Sequence, residues 1–278
     1  SYEIAMQEAK NHKLLIVHGS ESTRSAPIGH NNAVFITDAT KLMAEDGIVP
    51  FKEAKKQGAC VFWNHPAWHA QNPDGNPILS DFQKDRIKNG ELHGIEVINT
   101  TDYAEESLAL ALENNLTIMG TSDIHGLIDW DFTEKGKHRP ITLVFAKERS
   151  IESMQEALFE GRTVAVYNDL LVGKQEYLNP LIKASVEVVS ASYLNNTTVL
   201  KLELKNNSSS ELLFENDMAF SFYDSSPVFS IKGLETKTIH VKTLKKLDTV
   251  TFKLKELGAY FAPKQHQIIQ WEITPNSK

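Results

Sequence analysis

Leu116-Thr117-Ile118-Met119-Gly120-Thr121-Ser122-Asp123-Ile124-His125 is the stretch whose reading decides the fold. Its apolar opening, residues 116–120, reads as a buried strand. A carboxylate and an imidazole follow at the strand's carboxyl end, where ligands gather in parallel α/β proteins. If the extended backbone continues, Asp123 and His125 point the same way. A hard oxygen and an imidazole nitrogen aimed at one point suit a divalent transition metal.

Outward from this stretch, strand-like and helix-like segments alternate. Strands are expected at residues 14–18, 33–36, 59–64, 94–99, 141–146 and 163–166, and helices at 3–11, 50–56, 79–88 and 105–115. Ser150 caps a further helix that runs to Gly161. Apolar strands separated by helices imply a parallel sheet buried on both faces, as in a barrel or a doubly wound sheet.

The texture changes after Tyr177. Short strands are expected at residues 185–190, 197–205, 219–223, 237–242, 249–254 and 267–273. Alternation is plain in Val199-Leu200-Lys201-Leu202-Glu203-Leu204, and Asn206-Asn207-Ser208-Ser209-Ser210 is a turn. Strands without intervening helices suggest an antiparallel sandwich. We place an α/β domain at 1–172, a small all-β sandwich at 178–278, and the junction at 168–179.

With 278 residues, 41% hydrophobic and 23% charged, the chain has the composition of a folded globular protein. A net charge of −7 argues against nucleic acid as the partner, and no apolar run is long enough for a membrane span. A lone cysteine, Cys60, excludes an internal disulfide and a thiolate zinc site; within Ala59-Cys60-Val61-Phe62-Trp63 it reads as a core residue. The compartment stays open between bacterial periplasm and cytoplasm. No Gly-x-Ser-x-Gly elbow or Walker loop offers a side-chain nucleophile or phosphate cradle.

Metal-competent residues recur at the same sheet edge. Gly19-Ser20-Glu21 follows the first strand, Gly29-His30 precedes the second, and Asn64-His65-Pro66 follows the third. With Gly94-Ile95-Glu96 and Gly120 to His125, this order resembles the polymerase and histidinol phosphatase (PHP) superfamily, over about residues 1–170. The resemblance implies a distorted (βα)7 barrel and metal-dependent phosphoester hydrolysis, of a phosphomonoester or a phosphodiester. A metal-activated hydroxide would be the nucleophile at a multinuclear site of up to three Zn, Mn or Fe ions. It makes Glu21, His30, His65, Asp123 and His125 metal ligands, with Glu21 a bridging candidate, and puts Glu96 behind them.

The family also opens with a His-x-His pair, which this chain does not contain: His12 and His18 do not fit. We therefore expect the first strands and their ligands upstream of Ser1, and expect these 278 residues alone to hold metal poorly and to be inactive. By position, Arg24 and Arg139 are candidate phosphate contacts and His138 a candidate general acid. Trp63, Trp68 and Trp130 are candidates for a pocket wall, Trp63 equally for the core. The expected partner is a small phosphorylated substrate. Two other readings are a ligand- or carbohydrate-binding protein using the sandwich, and a metal-dependent hydrolase of a non-phosphate bond.

Overall fold

A computed structural model describes residues 2–276 and divides the chain into two compact units, Ser1–Tyr167 and Asn168–Lys278. The first unit runs α1 (Tyr2–His12), β1 (Gly19–Ser22), β2 (Asn31–Val34), α2 (Val49–Lys56), β3 (Cys60–Trp63), α3 (Asp81–Lys88) and β4 (Gly94–Asn99). It continues with β5 (Asp102–Tyr103), α4 (Glu105–Glu113), β6 (Thr117–Thr121), α5 (Ile128–Asp131), β7 (Ile141–Val144), α6 (Ile151–Phe159) and β8 (Thr163–Tyr167).

Within this unit β3, β4 and β6 pair in parallel, as the apolar run at 116–120 requires. Ile95, Ile98, Leu108 and Ile118 are buried, and Cys60 packs with Phe62, Met119 and Leu158. Threonines tie β6 to its surroundings. The Thr142 hydroxyl both accepts from the Gly120 amide and donates to its carbonyl, each at 2.9 Å. Thr163 Oγ1 donates to the Ile118 carbonyl at 2.7 Å. Gly120 lets the strands approach closely here: a Cβ would stand 3.0 Å from Ala165 Cβ and 3.1 Å from the Ile141 carbonyl oxygen, so the neighbours would have to give by a few tenths of an ångström. The strand that carries Asp123 and His125 is thus anchored along its length.

The unit is α/β, but its pairing is mixed and departs from a run of parallel βα units. β2 pairs antiparallel with both β1 and β3, as do β4 with β5 and β7 with β8. The link from β1 to β2 has no crossover helix, so those strands can only form a hairpin. The strand expected at 14–18 does not form: pairing begins at Gly19, and Leu14 and Leu15 are exposed. An apolar run becomes a strand only where a neighbour takes its backbone hydrogen bonds.

The second unit comprises β9 (Leu170–Gly173), α7 (Gln175–Ser185), β10 (Val186–Tyr193), β11 (Val199–Asn206), β12 (Leu212–Asn216), β13 (Ser221–Phe222), β14 (Val228–Ile231), β15 (Thr236–Lys242), β16 (Val250–Ala262) and β17 (Gln265–Ile273). One sheet has the order β10-β11-β15-β13. In the other, β12 lies between β14 and β16, and β16 also pairs with β17 and, in parallel, with β9. Alternate residues Leu200, Leu202 and Leu204 of β11 are fully buried, as are Phe214, Phe252 and Leu254 of the facing sheet. Rings of Phe222 and Phe229 meet across the sheets at 5.5 Å. The boundary read at 172 falls inside β9, whose pairing with β16 carries it into this unit. Neither α7, with Leu178 and Ile182 fully buried, nor β12 and β14 was expected from the sequence.

A carboxylate lies in the interior of this unit. Glu256 is 0% exposed; its Oε1 accepts the Leu213 amide at 3.0 Å, and its Oε2 has no partner. Burial, with a smaller contribution from Asp169, pushes its pKa from 4.5 up to about 8. The folded unit therefore holds a proton that the unfolded chain has released, and stability falls as pH rises from about 4.5 to about 8. Glu256→Gln keeps the acceptor and removes the charge. It should flatten this fall and stabilise the unit at pH 8 by roughly 2 kcal/mol or more. Amide hydrogen exchange of β12 and β16 at pH 5 and 8 measures it; equal slopes in both proteins would contradict the assignment.

Candidate metal centre

Three adjacent strand ends of the first unit bring the site together. Glu21 lies in β1, paired with Asn32 of β2. His30 immediately precedes β2, and its carbonyl accepts the Asn64 amide at 2.9 Å, joining the start of β2 to the end of β3. Buried Asn31 donates to the Ile28 and Gly29 carbonyls, both at 3.1 Å, and holds the turn that presents His30. Gly29 has φ 72°, and a Cβ there would lie 2.6 Å from Trp63 Nε1 and 2.7 Å from Gln71 Oε1.

His65 comes two residues after β3 at φ 30°, and Asp123 two residues after β6 at φ 49°. Positive φ at a side-chain-bearing residue costs on the order of 1–3 kcal/mol and concentrates at functional sites. Because the backbone turns at Asp123, the continued extension expected through His125 does not occur. Instead His125 Nδ1 meets the Asp123 carbonyl oxygen at 2.8 Å.

Donor atoms of Glu21, His30 and His65 all lie within 4.8 Å of one another. His30 Nδ1 is 3.1 Å from Glu21 Oε1, and His65 Nε2 is 3.9 Å from Asp123 Oδ2. Burial holds His65 below the usual imidazole range, against the opposing pull of Asp123. A neutral imidazole is the form that ligates metal. Mixed nitrogen and carboxylate donors converging in a half-buried pocket fit a divalent transition ion.

Glu96 lies behind these groups, 2% exposed on β4. Its Oε2 accepts the His65 amide at 2.6 Å and Asn99 Nδ2 at 3.0 Å, and its Oε1 accepts the Thr121 hydroxyl at 2.5 Å. One carboxylate thus links the end of β3, β4 and the end of β6. Burial pushes its pKa up to about 7 despite those hydrogen bonds.

Glu21, His30, His65, Asp123, His125 and Glu96 all line one cavity of about 970 Å³. The other expected contacts do not. Arg24 donates to the carbonyls of Thr23, at 2.7 Å, and Ala44, and is absent from the lining. His138 and Arg139 are exposed outside it. Trp63 is 3% exposed in the core, Trp130 stays outside the cavity, and Trp68 lines it. Sequence reasoning missed Asn99 and Thr121, the partners of Glu96. It also missed the β4–β5 hairpin, which brings Asp102 and Tyr103 to the cavity; Asn99-Thr100-Thr101-Asp102 was the available turn signal.

Comparison with known proteins agrees with a two-part chain. Residues 186–272 match the DUF5001 family model, described as an Ig-like domain. The chain is similar to a solved two-domain protein from Bacteroides vulgatus that contains a predicted PHP-like metal-dependent phosphoesterase. The two are 32% identical, with a TM-score of 0.89, over 98% of this chain and 79% of that one. No curated protein matches the chain. Among the described residues, no helix is long and apolar enough to cross a membrane.

Proposed function

The chain belongs to the family of two-domain proteins represented by the Bacteroides vulgatus protein with its predicted PHP-like metal-dependent phosphoesterase, and on that premise we propose that its first unit hydrolyses a phosphoester. The observation that carries the reading is the convergence of Glu21, His30 and His65 donors within 4.8 Å, with Asp123 beside His65. These four residues would hold divalent ions, with His125 a further ligand from the loop after β6 and the remaining ligands supplied by the full-length protein. We read the unit as a distorted PHP-type barrel in which parallel β3, β4 and β6 supply the strand ends. Zn, Mn and Fe all suit the donors, and up to three ions is the number the family resemblance implies.

When bound, divalent ions supply Lewis acidity, neutralising phosphoryl oxygens and lowering the pKa of water. The protein's part is positioning. Glu96 fixes the His65 backbone, the Gly29 turn presents His30, and the threonine-anchored β6 carries Asp123. His65, kept neutral by burial, presents a lone pair rather than a charge. No Ser or Cys nucleophile is required.

The test is hydrolysis of 4-nitrophenyl phosphate and bis(4-nitrophenyl) phosphate by the full-length protein before and after chelation. Chelation should remove at least ~99% of turnover, and Zn, Mn or Fe should restore it. Turnover that survives complete metal removal would overturn the reading.

A further inference from the structure

The cavity beside the donors has a charge pattern that constrains what can occupy it. Its lining carries five carboxylates (Glu21, Glu96, Asp102, Glu106 and Asp123) and, among the described residues, no lysine or arginine. Glu21 and Asp123 belong to the donor set, and Glu96 is taken up by its three hydrogen bonds. Asp102 and Glu106 are different: both are exposed and lie on the β5–α4 side of the cavity. Phosphates and carboxylates are ordinarily held by guanidinium forks or ammonium groups. Here the cation for one phosphoryl group would come from metal, and no lysine or arginine of the lining remains to pair a second anion; the one imidazole outside the donor set, His69, has its Nδ1 3.2 Å from the Pro73 carbonyl oxygen.

An aromatic wall adjoins the donors. Trp68 is 49% exposed and lines the cavity, with its ring 5.2 Å from that of His65 and 5.7 Å from that of His30. Its backbone is fixed, since the Trp68 amide donates to the His65 carbonyl at 2.9 Å and its own carbonyl accepts from Gln71 and Asn72. A rigid, half-exposed indole beside a reaction centre is a platform for a flat ring.

We infer that the cavity selects phosphoesters whose organic part is a ring lying against Trp68 and bearing no second negative charge, with Asp102 and Glu106 excluding anionic leaving groups. This rests on the phosphoester reading, and nucleoside diphosphates and bisphosphorylated compounds fall outside the class.

A pair of non-hydrolysable probes tests it: 4-carbamoylbenzylphosphonate and 4-carboxybenzylphosphonate, alike in size and differing in one charge. Calorimetry on metal-loaded, full-length protein should find the carboxylate probe at least about tenfold weaker. Asp102→Asn with Glu106→Gln should shrink that ratio to about threefold or less by removing the repulsion. Trp68→Ala should weaken both probes by about fivefold or more while leaving the affinity for methylphosphonate within about twofold. Equal binding of the two benzylphosphonates, a ratio that survives the double substitution, or binding of neither probe would overturn the inference. Turnover of 4-nitrophenyl phosphate in the same preparation separates the two readings. Hydrolysis with equal probe binding defeats charge selection alone, whereas selective binding without hydrolysis defeats the phosphoesterase assignment alone.

Discussion

Asp123→Ala in the full-length protein should lower turnover of a chromogenic phosphoester by ~10³-fold or more, because a carboxylate proposed to hold metal beside His65 is gone. The side chain is 30% exposed and lies 3.9 Å from His65 Nε2, so its loss empties no hydrophobic core. Stability should change by no more than about 1 kcal/mol. Relief of the positive φ at Asp123 will not occur, since alanine is no better suited to that conformation. Asp123→Asn separates charge from shape: it keeps the volume and removes the anionic donor, and should be nearly as inactive as alanine. Kinetics together with metal content by mass spectrometry read both effects. Unchanged turnover in Asp123→Ala would sink the proposed site.

Glu96→Ala should have the second largest effect, and a different one. Three donors, the His65 amide, Asn99 Nδ2 and the Thr121 hydroxyl, lose their acceptor in a pocket that is 2% exposed. Buried donors without partners cost about 1–3 kcal/mol each, so a loss of roughly 3 kcal/mol or more is expected. Because the His65 amide anchors a residue at φ 30°, metal affinity should also fall, by about tenfold or more. Glu96→Gln can still accept from His65 and Asn99 through its oxygen while its amide faces the Thr121 hydroxyl. It should therefore recover most of the stability and metal affinity lost in alanine. Urea unfolding and metal titration give the two readouts; a glutamine variant as weak as alanine in both would show that the negative charge, not the hydrogen-bond geometry, is what matters.

The legible and illegible parts of this fold follow the reach of the signals. Gly94–Asn99 was readable to its ends because Ile95, Val97 and Ile98 are apolar and buried in a short run bounded by turns, Glu96 notwithstanding. Ser150 was readable as a cap because its hydroxyl has a local task, accepting the Ser153 amide. Residues 14–18 misled because their apolar character reports burial preference and says nothing of a pairing partner. Arg24 misled similarly. Three residues from Glu21, it nevertheless spends its guanidinium on the Thr23 and Ala44 carbonyls, the second of which no local pattern connects to it.

The order Glu21, His30, His65, Asp123, His125, and the change from helix-separated strands to alternating ones, are written in the sequence, because donor chemistry and hydrophobic period are properties of short segments. The opening stretch shows where that knowledge ends. Leu116 to Gly120 had to be a buried strand, but the turn at Asp123 depends on a left-handed backbone that no period of two encodes. Which donors converge, Glu21 with His30 and His65, was decided by antiparallel pairing of β1, β2 and β3. The role of Glu96 emerged in the same way, from three strand ends meeting around one desolvated carboxylate. Long-range pairing brings together residues far apart in the chain, and only the folded backbone sets their distances.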